Sequence, residues 1–356
     1  MVEDKLHYNR SMNKFMLGTR EIGIEHPPLV VAEMGINHGG SLEVAKLMAD
    51  AARRAGIEVL KHQTHIIDDE MSSLAKTIRP GNSSQDIYSI MKKCALSPRD
   101  ERELKEYVEK LGMIFLSTPF SRAAANFLED IGVVGFKIGS GEMNNHPLLK
   151  HIATFKKPMI ISTGMHDLKA VQESVHVLGN QVPYALLHTT NLYPTPFHLV
   201  RLQAMVELAE VFPGVPVGLS DHTRNNNACK CAIALGASLV ERHFSDTKDR
   251  EGPDISCSMD TQEAQDLVLS AREIFLMRGG SKVAIAEEQV TRDFAFATMV
   301  ATAEIKKGEV LSDRNTWVKR PGVVGIPAKD YEKTLGKVAK LDIAKDTHIT
   351  LDMLEL

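Results

Sequence analysis

From residue 29 to about residue 280 the chain repeats one pattern, a short apolar run rich in β-branched residues followed by a longer stretch with helical spacing. Strands that alternate with helices in this way pair in parallel, because each helix carries the chain back along the sheet. Eight such runs can be read: LVVAEMG (29–35), EVLKHQT (58–64), MIFLSTP (113–119), GFKIGSG (135–141), PMIISTG (158–164), YALLHTT (184–190), VPVGLSDH (215–222) and SLVERHFS (238–245). After the first, Leu42, Ala45, Met48 and Ala52 lie along one stripe, with Ser41 placed to cap that helix and Gly56 to stop it. Eight β/α units in about 250 residues match the size of a (β/α)8 TIM barrel, and the Gly-rich phosphate fingerprint of a doubly wound sheet is missing from the sequence.

The pattern sets the domain boundaries. Residues 1–28 form an N-terminal extension, 29–280 the barrel, 281–296 a linker, and 297–356 a small β-rich module with turns at KKGE, KRPG and GIPAKD. The second unit carries an insertion, residues 65–98, long enough to read as a lid or a functional loop. Its acidic run in HIIDDEMS reads as solvated and is given no metal role.

Charge and composition exclude several classes of partner. A net charge of −4, from 42 Lys plus Arg against 46 Asp plus Glu, supplies no global field for nucleic acid or anionic lipid. No run reaches the ~18 apolar residues of a membrane span, and the opening MVEDKLHYNRSMNKF lacks the apolar centre of a signal peptide. Four cysteines without metal or redox spacing fit a reducing compartment, so the expected location is the cytoplasm.

The polar residues gather at one end of the strands. Glu33, Lys61, Gln63, Thr118, Lys137, Ser140, Ser162, Thr189, Ser220, His222, Glu241 and His243 all follow the apolar residues that lead their runs. In a parallel barrel those ends meet on one face, where barrel enzymes keep their active sites. Lys61 and Lys137 with the hydroxyls of Thr118, Ser140, Ser162 and Ser220 can cradle a small phosphorylated acid, or one lysine can simply pair with Glu33 or Glu142. His222 and His243 can offer imidazole nitrogens to one divalent ion, Mn²⁺ or Mg²⁺ first and Zn²⁺ as an alternative, although their spacing matches no short ligand motif.

The strings AEMGINHGGS, KHQTHIIDDEMS, STPFSRAAA, FKIGSGEMNN, HTTNLYPTP, GLSDHT, ERHFSD, GPDISCSMD, DFAFA and WVKRPG resemble those of the bacterial N-acetylneuraminate (sialic acid) synthases from about residue 28 to the C-terminus. The resemblance implies a barrel followed by an antifreeze-like SAF domain, and condensation of phosphoenolpyruvate with N-acetylmannosamine and water, by C–O cleavage, to give N-acetylneuraminate and phosphate. It implies that Lys61, Thr118, Lys137, Ser140, Ser162, Asn191 and Ser220 hold phosphoenolpyruvate, that His222 and His243 bind Mn²⁺, and that Glu142 orients or deprotonates the attacking water. By the same resemblance Glu33, Gln63, Tyr193, Asp254, Phe294 and Arg320 hold the sugar, the last from the partner of a domain-swapped homodimer. Met143 departs from the pattern, standing where many relatives carry Cys.

Three other readings stay open at this level. One is the same chemistry on a 2,4-diacetamido sugar of the legionaminate route. Another is a metal-free aldolase with a Schiff-base lysine at Lys61 or Lys137. The third is a sugar-phosphate-binding or ice-binding protein without catalysis, against which every proposed catalytic position still carries a competent side chain.

Overall fold

Alternate residues of a strand face opposite sides, and in the barrel this single rule separates two apolar layers. Leu29, Val31, Val59, Leu116, Ile160, Ala185, Leu187 and Leu239 point to the axis and form an inner cluster. Their neighbours Val30, Ala32, Leu60, Phe115, Ile161, Leu186 and Val240 point outward and pack with the surrounding helices in a second, larger cluster. The structure is a computed structural model and describes residues 14–81, 84–179 and 181–355. The first thirteen residues, including most of the stretch read for a signal peptide, lie outside the described residues, as do Asn82 and Ser83 of the insertion.

Two short strands precede the barrel, β1 (Lys14–Leu17) and β2 (Arg20–Gly23), paired as a hairpin. The barrel strands are β3 (Leu29–Gly35), β4 (Val59–Thr64), β5 (Ile114–Pro119), β6 (Phe136–Ile138), β7 (Met159–Ser162), β8 (Tyr184–Thr189), β9 (Val217–Asp221) and β10 (Leu239–His243). They form one parallel sheet in the order β5-β4-β3-β10-β9-β8-β7-β6, and β5 lies beside β6 at the seam. Eight strands in sequential order with this closure are a (β/α)8 barrel, and the expected fold class holds. The first barrel helix, Leu42–Arg54, is capped by Ser41, whose hydroxyl accepts from the Val44 N–H, and ends before Gly56, whose φ of +83° suits glycine.

The residues before the barrel do more than extend it. Phe15, Leu17 and Ile22 of the hairpin are buried in the inner cluster, so they close the end of the barrel where the strands begin. The sequence carried no sign of this plug, because a four-residue hairpin strand is too short to show a period.

The described residues divide into two compact units, one up to residue 279 and one from residue 280 onward. The second has its own core, with Met299, Ile305, Leu311, Ile326, Tyr331, Ile343 and Ile349 buried together. Its strands β11 (Thr298–Ala301) and β12 (Thr316–Lys319) pair antiparallel, and isolated bridges such as Ile305 to Ile343 and Val310 to Val338 tie its turns. Residues 281–296 contain a helix, Gln289–Ala295. Among the described residues no helix is long and apolar enough to cross a membrane.

Leu17 is fully buried in the plug. Leu17→Ala should lower unfolding free energy by about 2–5 kcal/mol in an equilibrium denaturant titration, as for other core truncations. A change within experimental error would mean that the hairpin does not contribute to the barrel's core.

Candidate active site

Following the inward-facing residues of each strand upward, the apolar layer gives way to charge. On β3 the order is Leu29, Val31, Glu33; on β4 it is Val59, Lys61, Gln63; on β10 it is Leu239, Glu241, His243. Register places Lys61 opposite Glu33, His243 opposite Glu33 and Ser220 opposite Glu241. A ring of ionisable groups therefore lies directly on the inner core. It surrounds a cavity of about 270 Å³.

Glu241 ties this ring together. Its Oε1 lies 3.5 Å from Lys61 Nζ and 3.8 Å from Lys137 Nζ, and Ser220 Oγ donates to it at 3.2 Å. Lys61 is also 2.9 Å from Glu33 Oε2 and donates to Thr118 Oγ1 at 3.3 Å. Burial works against charge on Lys61, but Glu241 and Glu33 more than compensate and hold its pKa above the usual value. Lys137 is less well supplied. It donates to Ser162 Oγ at 2.7 Å and to the Ile138 carbonyl at 3.1 Å, and burial, opposed by Glu241 but reinforced by Lys61, lowers it to about 8.

Glu142 Oε2, Asn191 Oδ1 and Glu241 Oε2, around this cavity, are buried with no hydrogen-bond partner among the described residues. Such atoms are rare in folded proteins and mark a place that a ligand or water completes. Burial, with the nearby Glu70 carboxylate, raises Glu142 to about 7, so it can exchange a proton near neutrality. Gly164 makes room at the rim: an added Cβ would stand 2.0 Å from Asn191 Oδ1 and 2.8 Å from Ser140 Oγ. The Gly164 N–H donates to that same Ser140 hydroxyl at 3.1 Å.

His222 and His243 stand with ring centroids 5.4 Å apart, and the Tyr193 ring lies 4.2 Å from the first and 5.8 Å from the second. His222 Nδ1 is bonded to the Thr190 carbonyl at 2.8 Å, which makes that nitrogen the donor and leaves Nε2 as a free lone pair. Burial and the neighbouring His243 lower His222 to about 3, so the ring is neutral. His243 Nδ1 is buried without a hydrogen bond among the described residues, 3.6 Å from Asp254 Oδ2. A neutral imidazole with an oriented lone pair beside an unsatisfied ring nitrogen fits a divalent cation with open positions. No group of three or more His, Cys, Asp or Glu side chains among the described residues closes such a site.

Outward-facing residues of the same strands hold these in place. Arg242 is buried 3.4 Å from Asp221 and donates to Asn226 Oδ1, the Thr223 carbonyl and the Cys257 carbonyl, joining the loops that follow β9 and β10. His62 Nδ1 lies 3.1 Å from Glu101, which also accepts from the Thr64 hydroxyl.

All the residues expected to hold the phosphorylated acid, Lys61, Thr118, Lys137, Ser140, Ser162, Asn191 and Ser220, line this one cavity, together with Glu33, Gln63, Glu142, Tyr193, His222 and His243. Glu33 is engaged with Lys61 and accepts from Gln63 Nε2 at 2.7 Å. Asp254 lines an adjoining outer chamber. Phe294 and Arg320 belong to the second unit, where Phe294 is exposed on the helix Gln289–Ala295 and Arg320 is exposed just after β12. Met143 is fully buried in the outer apolar cluster.

Two features escaped the sequence reading. Glu241 stood among the strand-end polar residues without a role, although it is two residues before His243 and must share its face. Of the acidic run, expected to be solvated, Asp68 and Asp69 are exposed, Asp69 accepting from the Ala123 N–H at 2.8 Å, whereas the Glu70 carboxylate is buried against His65 at 2.8 Å.

The model of the NeuB family matches residues 48–283, and that of the SAF domain residues 297–355. The chain is 36% identical over 327 residues to the N,N'-diacetyllegionaminic acid synthase of Campylobacter jejuni, covering 89% of this chain and 97% of that protein. It is 29% identical to the N-acetylneuraminate-9-phosphate synthase of Homo sapiens, over 94% of this chain and 95% of that one. Among solved structures, the N-acetylneuraminic acid (sialic acid) synthetase of Leptospira borgpetersenii, in complex with citrate, superposes with a TM-score of 0.72 at 27% identity, covering 78% of this chain and 94% of that one.

Glu241→Gln would leave two buried ammonium groups sharing the charge of Glu33 alone. It should destabilise the ligand-free protein by about 3–5 kcal/mol, and added inorganic phosphate should raise its Tm more than it raises that of the native protein. Equal stability and equal phosphate shifts would show that Glu241 does not balance the lysines.

Proposed function

We propose, from the premise that this chain belongs to the NeuB family and ends in a SAF domain, that it condenses phosphoenolpyruvate with N-acetylmannosamine and water to give N-acetylneuraminate and phosphate. The observation that carries this reading is the pairing of two buried lysines and a set of hydroxyls with the histidine pair His222 and His243 across one small cavity. The lysine side suits a phosphate and a carboxylate, and the histidine side suits the oxygen of an aldehyde.

In this reading Lys137 and Lys61 receive the anionic groups of phosphoenolpyruvate, while Ser162, Thr118, Ser140, Ser220 and Asn191 fix its orientation. Holding the enol carbon against the aldehyde carbon turns a bimolecular encounter into a positioned one. His222, through Nε2, and His243 would hold Mn²⁺ or Mg²⁺. That cation, when bound, supplies Lewis-acid polarisation of the aldehyde oxygen. The enol π pair forms a carbon–carbon bond to the aldehyde carbon while the C=O π pair moves onto the aldehyde oxygen, which takes up a proton to become a hydroxyl. Positive charge is left at C2 of the former enol phosphate. Glu142 stabilises that charge and takes a proton from the water that adds to C2. The C2–O bond to phosphate then breaks as the new C2 hydroxyl gives up its proton to become the ketone, and inorganic phosphate leaves. Glu33, Gln63, Tyr193 and Asp254 would hold the sugar, with Phe294 and Arg320 contributed by the second unit of a partner in a homodimer.

Phosphate release by the purified protein tests this. It should require phosphoenolpyruvate, N-acetylmannosamine and a divalent cation, and should stop with excess EDTA or in His222→Ala. Borohydride trapping of a lysine adduct together with resistance to EDTA would replace the reading with the metal-free aldolase.

The pH profile follows from the two shifted groups. Glu142 must be deprotonated and so gains competence as pH rises through about 7, whereas Lys137 must be charged and loses competence as pH rises through about 8. The rate of the free enzyme, as kcat/KM for phosphoenolpyruvate, should therefore peak between these values. Glu142→Gln should remove the acid limb of whatever activity it retains, and a retained acid limb would assign the base elsewhere.

A further inference from the structure

Gln63 lines the inner cavity, and what its carboxamide can offer a ligand depends on which way it faces, since it donates at one end and accepts at the other. Its direction is set from outside the cavity. Nε2 donates to Glu33 Oε1 at 2.7 Å, and the other oxygen of Glu33 lies 2.9 Å from Lys61 Nζ, an ion pair that keeps Glu33 an acceptor. Oε1 of Gln63 therefore faces the opposite way, where His65 Nε2 stands 3.2 Å from it. Facing an oxygen that can only accept, that ring nitrogen is the donor. Glu70 Oε2 lies 2.8 Å from Nδ1 and holds the ring by its second nitrogen, while the Phe120 ring stacks on its face with centroids 4.5 Å apart.

A continuous row of side chains thus runs from Glu70 through His65, Gln63 and Glu33 to Lys61. His65 directly follows β4, and Glu70 ends the short helix Ile67–Glu70 of the insertion. Neither is among the residues that line the inner cavity, whereas Gln63, Glu33 and Lys61 all are. The side chains of His65 and Glu70 are nonetheless only 2% and 8% exposed. A buried pair of this kind adds little net stability over apolar residues of the same volume; what it supplies is fixed geometry. With Oε1 turned to His65 and one N–H given to Glu33, the second N–H of Gln63 is left for a ligand.

We infer that His65 and Glu70 are positioning residues: they hold the Gln63 carboxamide so that it offers the sugar an N–H donor, to be met by a hydroxyl or carbonyl oxygen of that sugar. This rests on the synthase reading, in which Gln63 holds the sugar.

A double-mutant cycle read in KM tests it, with phosphate release followed as N-acetylmannosamine is varied at saturating phosphoenolpyruvate and Mn²⁺. His65→Phe keeps a ring against Phe120 and removes both nitrogens. It should raise the KM for the sugar about tenfold, the order expected when a buried polar group loses its hydrogen-bond partner, and leave the KM for phosphoenolpyruvate unchanged. Gln63→Ala should raise the sugar KM at least as much, and His65→Phe added to Gln63→Ala should change it no further, because both act through one amide. If His65→Phe fails to fold with Glu70 left unpaired, His65→Phe/Glu70→Gln, which also removes the carboxylate charge, takes its place in the same cycle. An unchanged sugar KM, equal rises in both KM values, or effects that multiply in the combined variant would overturn the inference and leave the synthase reading standing. Native protein that releases no phosphate, or releases it without need of the sugar, would overturn the synthase reading and the inference with it.

Discussion

The mouth of the barrel depends on one carboxylate oxygen. Glu241 Oε1 serves Lys61, Lys137 and the Ser220 hydroxyl at once, and it does so deep in the protein, where unpaired charge is expensive. Two lysines and the carboxylates of Glu33 and Glu241 balance each other there. The balance is uneven: Lys61 has two carboxylates, while Lys137 has one distant carboxylate oxygen and otherwise neutral acceptors. Lys137 is therefore the cation with most to gain from an arriving anion, and its lowered pKa expresses the same shortage.

This arrangement follows from the barrel's own geometry. The hairpin residues Phe15, Leu17 and Ile22 and the first inward-facing residues of the strands fill the lower barrel with apolar side chains. The next inward positions are Glu33, Lys61, Lys137 and Glu241, and above them stand Gln63 and His243. Strand periodicity converts this order in sequence into layers in space, so that the reacting groups sit on a buried apolar base. Outward-facing Arg242, Asp221, His62 and Glu101 brace the same strands from behind. Positioning of this kind is what an enzyme needs when much of its rate comes from holding two substrates against each other.

Most of that order was legible in the sequence. The eight strands, the polar strand ends and the cap and stop of the first helix follow from local pattern and turn chemistry, which act over a few residues. The charge-sharing by Glu241 was not legible, since it depends on which residues of β4, β6 and β10 meet across the barrel, and register between distant strands is a tertiary property. The same applies to Glu70, whose carboxylate is buried against His65 by the folding of the insertion, and to the hairpin plug, whose short strands gain their burial only once the barrel exists. Phe294 and Arg320 entered through resemblance alone, with no local signal of their own.

The central claim is that the anionic substrate completes the charge environment of Lys137. Calorimetric titration of phosphoenolpyruvate into the protein near pH 8, in buffers of different ionisation enthalpy, tests it directly. Binding should draw protons from the buffer as Lys137 becomes fully charged, and Lys137→Met, which leaves Glu241 paired with Lys61, should abolish the uptake and weaken binding strongly. Binding without proton uptake in the native protein, or equal affinity in the variant, would contradict the account.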